Sequence, residues 1–425
     1  MPLLRQTRSV CPVCLRGLPA QLISGPEGMV TMEKHCPDHG DFSVPVWRGL
    51  ADFDAWRGQV PPLGTWEGEV CPANCAKCAA HPQGSCCVLL EVTRRCNLHC
   101  RFCFAGEDLP EPGLSALCAA ADEILSHGKP LIQLSGGEPT VREDLPQLIS
   151  HIRSGGGRWV QLNSNGLRLA EDPDYAKTLA EAGLSIVFLQ FDAADDGVYE
   201  ALRGRPLLDI KYQAIENCGR AGLGVTLVPT VVRGVNDHLI GHIVRAGVAL
   251  APVVRGVHFQ PVSYFGRVPG LPAADSRYTL DELIAALETQ AGIPAAHIAP
   301  SRCDHPACGL HAAFTIDDAG QLLPLTTRRA AQEGEGCCCG TVSPAQNRAY
   351  IGARWSAAPA AADAPEGSLD ALLDQVGRRG FTITAMAFQD AGNLDVERLR
   401  RCSLHVYDRG HLTPFCARYL TPLEE

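Results

Sequence analysis

Cys96, Cys100 and Cys103 stand in the run Glu91-Val-Thr-Arg-Arg-Cys-Asn-Leu-His-Cys-Arg-Phe-Cys-Phe104, which places three thiols within eight residues. A CX3CX2C spacing on one loop suits three corners of an iron–sulfur cubane and leaves the fourth iron without a protein ligand. Such an iron can chelate an amino and a carboxylate group, as catalytic metals generally keep one position open. Structural zinc is the alternative, although zinc more often takes two CX2C pairs.

Ser135-Gly136-Gly137-Glu138-Pro139-Thr140 adds a second signal. Glycines here let backbone approach a ligand closely, and Glu138 can receive an ammonium group such as that of S-adenosylmethionine (SAM). Two signals at the ends of consecutive expected strands favour a [4Fe–4S] cluster that binds SAM and, when reduced, releases a 5′-deoxyadenosyl radical.

Further cysteines flank this centre, and the chain has 20 in all. Cys11-X2-Cys14 with Cys36-X2-His39 has the two-knuckle spacing of a zinc ribbon or a rubredoxin-like site, for zinc or mononuclear iron. Cys71-X3-Cys75-X2-Cys78 repeats the central spacing without strand or GGEP, so an auxiliary [4Fe–4S] cluster is expected, completed by Cys87 or Cys86. Cys303, Cys308, Cys402 and Cys416 are candidates for a second auxiliary cluster, with Cys337–Cys339 as competitors. Clustered thiols in a long chain whose start, MPLLRQTRSV, lacks an apolar signal core read as metal ligands in a reducing cytoplasm.

These groups need a frame to hold them. Strands are expected over Val88–Thr93, Leu131–Leu134, Trp159–Asn163, Ile186–Phe191, Gly224–Val231 and Gly256–Gln260. Helical patterns lie between them, including Leu114–Ser126 and Leu145–Ser154. Six parallel strands covered by helices predict an α/β fold, a partial (β/α)6 TIM-like barrel. The expected division is a metal module over 1–48, a linker with the first auxiliary cysteines over 49–87, the barrel over 88–270 and an iron–sulfur auxiliary-cluster region over 271–425. A helix is expected over Tyr278–Gln290, opened by Thr279 with Glu282 three residues on.

Composition narrows the functions. The net charge of −10 argues against nucleic acid as partner, and no apolar run is long enough for a membrane span, so at most peripheral membrane contact is expected.

CNLHCRFCF together with SGGEPT resembles the radical SAM superfamily over about residues 88–265. The resemblance implies that Phe102 packs near the adenine. It also implies that Gly136, Gly137, Asn165, Gln190, Asp192 and Gln260, with Thr230 and His258 nearby, contact SAM at the strand ends. The flanks RSVCPVCLRGLPA, KHCPDHG and CPANCAKC are similar to archaeal tetraether lipid synthases and, nearer still, to the TrsS-like radical SAM (seleno)protein family. That kinship implies a mononuclear N-terminal metal, the SAM cluster and auxiliary clusters.

The expected activity is hydrogen abstraction from an unactivated C–H bond, with C–C or C–S bond formation on a lipid-like or other small-molecule substrate. A ferredoxin- or flavodoxin-type donor would feed the cluster. Peptide or cofactor maturation is the alternative within catalysis, and a non-catalytic iron–sulfur electron carrier the alternative outside it.

Overall fold

The computed structural model describes residues 2–58, 60, 71–72, 84–104, 111–266, 272–328, 342–358 and 368–423. Cys75, Cys78 and Cys337–Cys339 lie outside them. The chain opens with an antiparallel four-stranded meander, β1 (Leu3–Val10), β2 (Gly17–Ser24), β3 (Val30–Cys36) and β4 (Gly40–Trp47).

The expected partial barrel follows. Its strands are β5 (Cys87–Thr93), β6 (Leu131–Gly136), β7 (Val160–Ser164), β8 (Ile186–Gln190), β9 (Gly224–Val228) with the two-residue β10 (Thr230–Val231), and β11 (Val254–Pro261). Strands β5, β6, β7, β8, β9 and β11 pair in that order, all parallel. The expected single strand 224–231 is split at Pro229, which has no N–H to continue a ladder.

Helices cover the outside because their apolar residues fall on one stripe. Leu114–Ser126 buries Leu117, Ala120, Ala121, Ile124 and Leu125, spaced by three and four. Leu145–Ser154 does the same with Leu145, Leu148, Ile149 and Ile152. The capping box expected at Thr279 forms: Thr279 N and Oγ1 both donate to Glu282 Oε2, at 2.8 Å each.

Downstream of residue 270 come β12 (Ala299–Pro300), β13 (Gly309–Ile316), β14 (Leu322–Pro324), β15 (Gly380–Met386), β16 (Leu404–Asp408) and β17 (His411–Pro414). Two of them widen the barrel sheet in its own direction: β15 pairs parallel with β11, and β16 pairs parallel with β5. Antiparallel β13 and β17 then line the outer edges of β15 and β16. Among the described residues no helix is long and apolar enough to cross a membrane.

The meander is fastened to this frame by charge. Arg5 pairs with Asp395 and Glu397, and Lys34 Nζ donates to Ala391 O at 2.9 Å. Asp281 accepts from Arg48 N at 2.9 Å and Leu50 N at 3.0 Å.

Candidate active site and metal centre

A cavity of about 550 Å³ runs along the barrel lumen. Side chains alternate across each strand, so every second residue faces inward: Gln133 and Ser135 from β6, Gln161 and Asn163 from β7, Phe188 and Gln190 from β8. At the carboxyl ends of the strands, where α/β folds place ligands, the wall is formed by Cys96, Cys100, Cys103, Phe102, Gly136 and Gly137. All three central cysteines therefore share one wall with the glycine loop. Although Cys96 is exposed as a residue, desolvation of its thiol against the cavity wall pushes that thiol up to about 11. Phe102 packs on Ala193, Val198 and Leu202 while lining the same space.

The glycines serve the protein's own backbone as well as the cavity. Gly136 has φ +127°, and a Cβ on it would lie 2.1 Å from Thr93 O. A Cβ on Gly137 would lie 2.1 Å from Arg95 O. Gly137 N and Glu138 N instead donate to Thr93 O and Arg95 O, both at 2.8 Å. The loop after β6 is thus bolted to the base of the cysteine loop.

Glu138 is buried, and its carboxylate is already engaged. Oε1 accepts from Thr140 N (3.1 Å), Thr140 Oγ1 (2.7 Å) and Ser164 Oγ (2.9 Å), and Oε2 accepts from Asn165 N (2.7 Å). Burial raises its pKa above the ordinary carboxylate value, and these hydrogen bonds work against that rise. Asn165 carries the connection onward, since its Nδ2 donates to Asn97 Oδ1 at 2.7 Å inside the cysteine loop. Glu138 and Asn165 thereby couple three strand ends.

Gln190, Gln260, Thr230 and His258 line the cavity, whereas Asp192 is fully buried behind it. Asp192 holds Arg203 through two 2.8 Å hydrogen bonds and accepts from Thr230 N at 3.0 Å. Arg203, not Asp192, reaches the lining. Burial would lower the Arg203 guanidinium, but Asp192 holds it charged, above its ordinary value. Beneath lies Lys211, donating to Asn165 O, with its amine brought down to about 8 by burial. Sequence reasoning missed Arg203 and Lys211, which sit on helices where a basic residue reads as solvated surface.

In the N-terminal meander, Cys11, Cys14, Cys36 and His39 bring their ligand atoms within 4.8 Å of one another. His39 Nδ1 lies 3.6 Å from Cys11 Sγ and 3.4 Å from Cys36 Sγ, and Cys14 Sγ lies 4.0 Å from Cys36 Sγ. A tetrahedron built on metal–sulfur bonds of about 2.3 Å has edges of about 3.8 Å, so one ion fits these four ligands. Burial would raise the Cys36 thiol, yet the His39 and backbone hydrogen bonds bring it down to about 6.

The remaining cysteines fall into two groups. Cys303 accepts from Asn347 Nδ2 at 3.0 Å and lies 3.1 Å from Ser403 Oγ, while the same Asn347 Nδ2 reaches Cys86 Sγ at 3.3 Å. With Cys87, these thiols line the amino-end floor of the lumen. Cys308 instead accepts from Arg398 Nε at 3.5 Å, and Cys416 from Gln389 N at 3.2 Å. Burial raises Cys308, Cys402 and Cys416 alike, and Cys402 and Cys416 also feel the charge of Cys308. Cys71 packs on the apolar cluster that contains Cys416.

Comparison with known proteins agrees with this arrangement. Residues 90–246 match the radical SAM superfamily model, and residues 3–48 match the HMPTM N-terminal zinc ribbon domain. The chain is 32% identical over 498 aligned positions to the 7,8-dihydro-6-hydroxymethylpterin dimethyltransferase of Methanocaldococcus jannaschii, covering 99% of this chain and 96% of that protein. It is 36% identical to the Fe-coproporphyrin III synthase of Methanosarcina barkeri over 34% of this chain and 36% of that one. With the PqqA peptide cyclase of Streptomyces rochei it shares 32% identity over 35% of this chain and 41% of that protein. A lumen headed by three cysteines and a zinc ribbon in front of it therefore belong together, and the chain is a member of the radical SAM superfamily, in the family of the pterin dimethyltransferase.

Proposed function

We propose that this radical SAM enzyme methylates a small planar heterocycle of the pterin type, bound in the barrel lumen. The observation that carries the reading is the lining: amides of Gln133, Gln161, Asn163, Gln190 and Gln260 stand beside the rings of Phe188 and Trp355. Aromatic walls suit a flat ring, and amide edges suit its alternating donors and acceptors. A lipid chain would want an apolar tunnel throughout, whereas this lumen carries a linked row of amides, with Gln133 and Gln161 donating to Asn163 Oδ1 at 2.8 and 3.3 Å. The 32%-identical relative, a pterin dimethyltransferase, points the same way. Kinship with TrsS-like proteins and tetraether lipid synthases would then concern the cysteine-bearing flanks rather than the substrate.

In this reading Cys96, Cys100 and Cys103 hold the SAM-binding [4Fe–4S] cluster, and all three face the mouth of the cavity. Cluster and SAM together supply a carbon radical able to take hydrogen from a C–H bond. The chain's own part is placement. Glu138 and Asn165 fix the strand-end loops, Gly136 and Gly137 offer backbone to SAM, and Arg203, kept charged by Asp192, faces the space with a fixed cation. Gln190 and Gln260 are left to orient cofactor or substrate. Cys308, Cys402 and Cys416, with Cys71, form the better auxiliary-cluster set; Cys303 and Cys87 belong to the lumen floor. The ribbon takes zinc, although a single iron has the same geometry. A cytoplasmic ferredoxin or flavodoxin is the reductant the reading requires.

The test is anaerobic turnover of the reconstituted enzyme with 7,8-dihydro-6-hydroxymethylpterin, a strong reductant and excess SAM, one molecule as radical source and a second as methyl donor, with two electrons consumed per methyl installed. Mass spectrometry should find the pterin heavier by one or two methyl groups. Formation of 5′-deoxyadenosine with the pterin untouched would sink the substrate assignment and leave the superfamily intact.

A further inference from the structure

The floor of the lumen holds a buried acceptor with nothing to accept. Asn347, on the helix Pro344–Trp355, is 5% exposed, and its Nδ2 is taken up by Cys86 and Cys303. Its Oδ1 has no hydrogen-bond partner among the described residues. A buried carbonyl left so is destabilising, a loss that a donor on a bound ligand would recover. The neighbouring acceptor on the floor, Asp304, is in a different state. It takes Ser403 N and Ser403 Oγ at 2.8 Å each and Ser301 Oγ at 3.2 Å. Asn347 is the acceptor in want of a donor.

Asn347 lines the same cavity as Cys96, Cys100 and Cys103. Strand β5 connects floor to mouth and spans about 20 Å at roughly 3.3 Å per residue, which leaves depth for a bicyclic ring below the cofactor. The amino-pyrimidinone ring of a pterin carries no C–H bond; its abstractable hydrogens lie on the other ring and on the hydroxymethyl arm. A radical generated at the mouth can act only on that side, so the opposite edge, with its exocyclic amine and ring N–H, must point to the floor.

We infer that Asn347 Oδ1 accepts the exocyclic amino group of the substrate, while the Cys86 and Cys303 sulfurs hold the amide in orientation through Nδ2. Asn347 is thus a specificity-determining residue for an aminated heterocycle. The inference rests on the pterin reading given above.

Equilibrium binding to the reconstituted holoenzyme tests it, using 6-hydroxymethylpterin and 6-hydroxymethyllumazine, in which an oxygen replaces the amino group. Wild type should prefer the pterin by about tenfold, the equivalent of about 1.4 kcal/mol. Asn347→Ala should lose that preference and bind both alike, whereas Asn347→Asp, which keeps an acceptor, should retain it. No preference in wild type overturns the inference without recourse to any variant. A preference that survives in Asn347→Ala, or that disappears equally in Ala and Asp, overturns it alone. Failure of wild type to bind either ring overturns the pterin reading along with it.

Discussion

The ribbon and the barrel mouth both gather cysteines, but they do so by different means. In the ribbon, four ligand atoms lie within 4.8 Å of one another, held by the turns that follow β1 and β3. Local hairpin geometry shapes that tetrahedron, with one tie from outside, Leu423 N donating to Pro12 O at 2.7 Å. At the mouth, Cys96 is exposed and Cys100 and Cys103 are half-buried along a cavity wall. Their placement depends on backbone hydrogen bonds from the next strand's loop and on Asn165 from beyond it, which Glu138 of that loop anchors. A site that only has to hold an ion can be closed and local. One that has to present a cofactor to a substrate must stay open on one side and borrow rigidity from several strands.

The difference can be broken at either end. Cys96→Ala should reduce 5′-deoxyadenosine formation to background while metal analysis still finds the ribbon ion; loss of both metals together would show the two sites are not independent. Gly137→Ala should come next, since its Cβ would sit 2.1 Å from Arg95 O. The backbone shift should cost roughly 1–3 kcal/mol and weaken SAM cleavage, read by thermal midpoint and turnover.

Acid should distinguish the barrel as well. Burial holds His258 down to about 4, below the ordinary 6.5. Between those values the unfolded chain binds a proton that the folded one refuses. Stability should therefore fall as pH drops from about 6.5 towards 4, by about 1.4 kcal/mol per unit for this residue. Denaturant midpoints at pH 7 and 5 should show the loss, and His258→Phe should reduce it. The smallest effect is expected from His39→Ala: weaker metal retention and a melting shift of about 2–4 °C if about 1 kcal/mol is lost, with SAM cleavage unchanged.

Much of the barrel is legible along the chain. Helices Leu114–Ser126 and Leu145–Ser154 begin and end where their apolar spacing predicts, because each is a local stripe with clear punctuation. The six lumen strands are legible for the same reason. Strands β15 and β16 are not. Each lies in a cysteine-bearing tail whose residues suggest ligands rather than sheet, and their parallel partners are far away in sequence. The site divides along similar lines. Cys96, Cys100, Cys103 and the glycine loop announce themselves by spacing. Asp192 stands on the expected strand end, but only the fold reveals that its charge is spent on Arg203. The Asn347 contact with Cys86 and Cys303 joins three distant segments, and no periodicity could have exposed it.

The pairing of β16 with β5 also bears on the order of assembly. A ribosome releases β5 early and β16 only near the end of the described chain, so one long edge of the growing sheet waits unpaired through most of synthesis. The units β5 to β9 can close by neighbour contacts, whereas the seam with β16 has a large sequence separation and should form late. Until then β5 presents an open edge, and the nascent protein has its greatest exposure to edge-to-edge association during that interval.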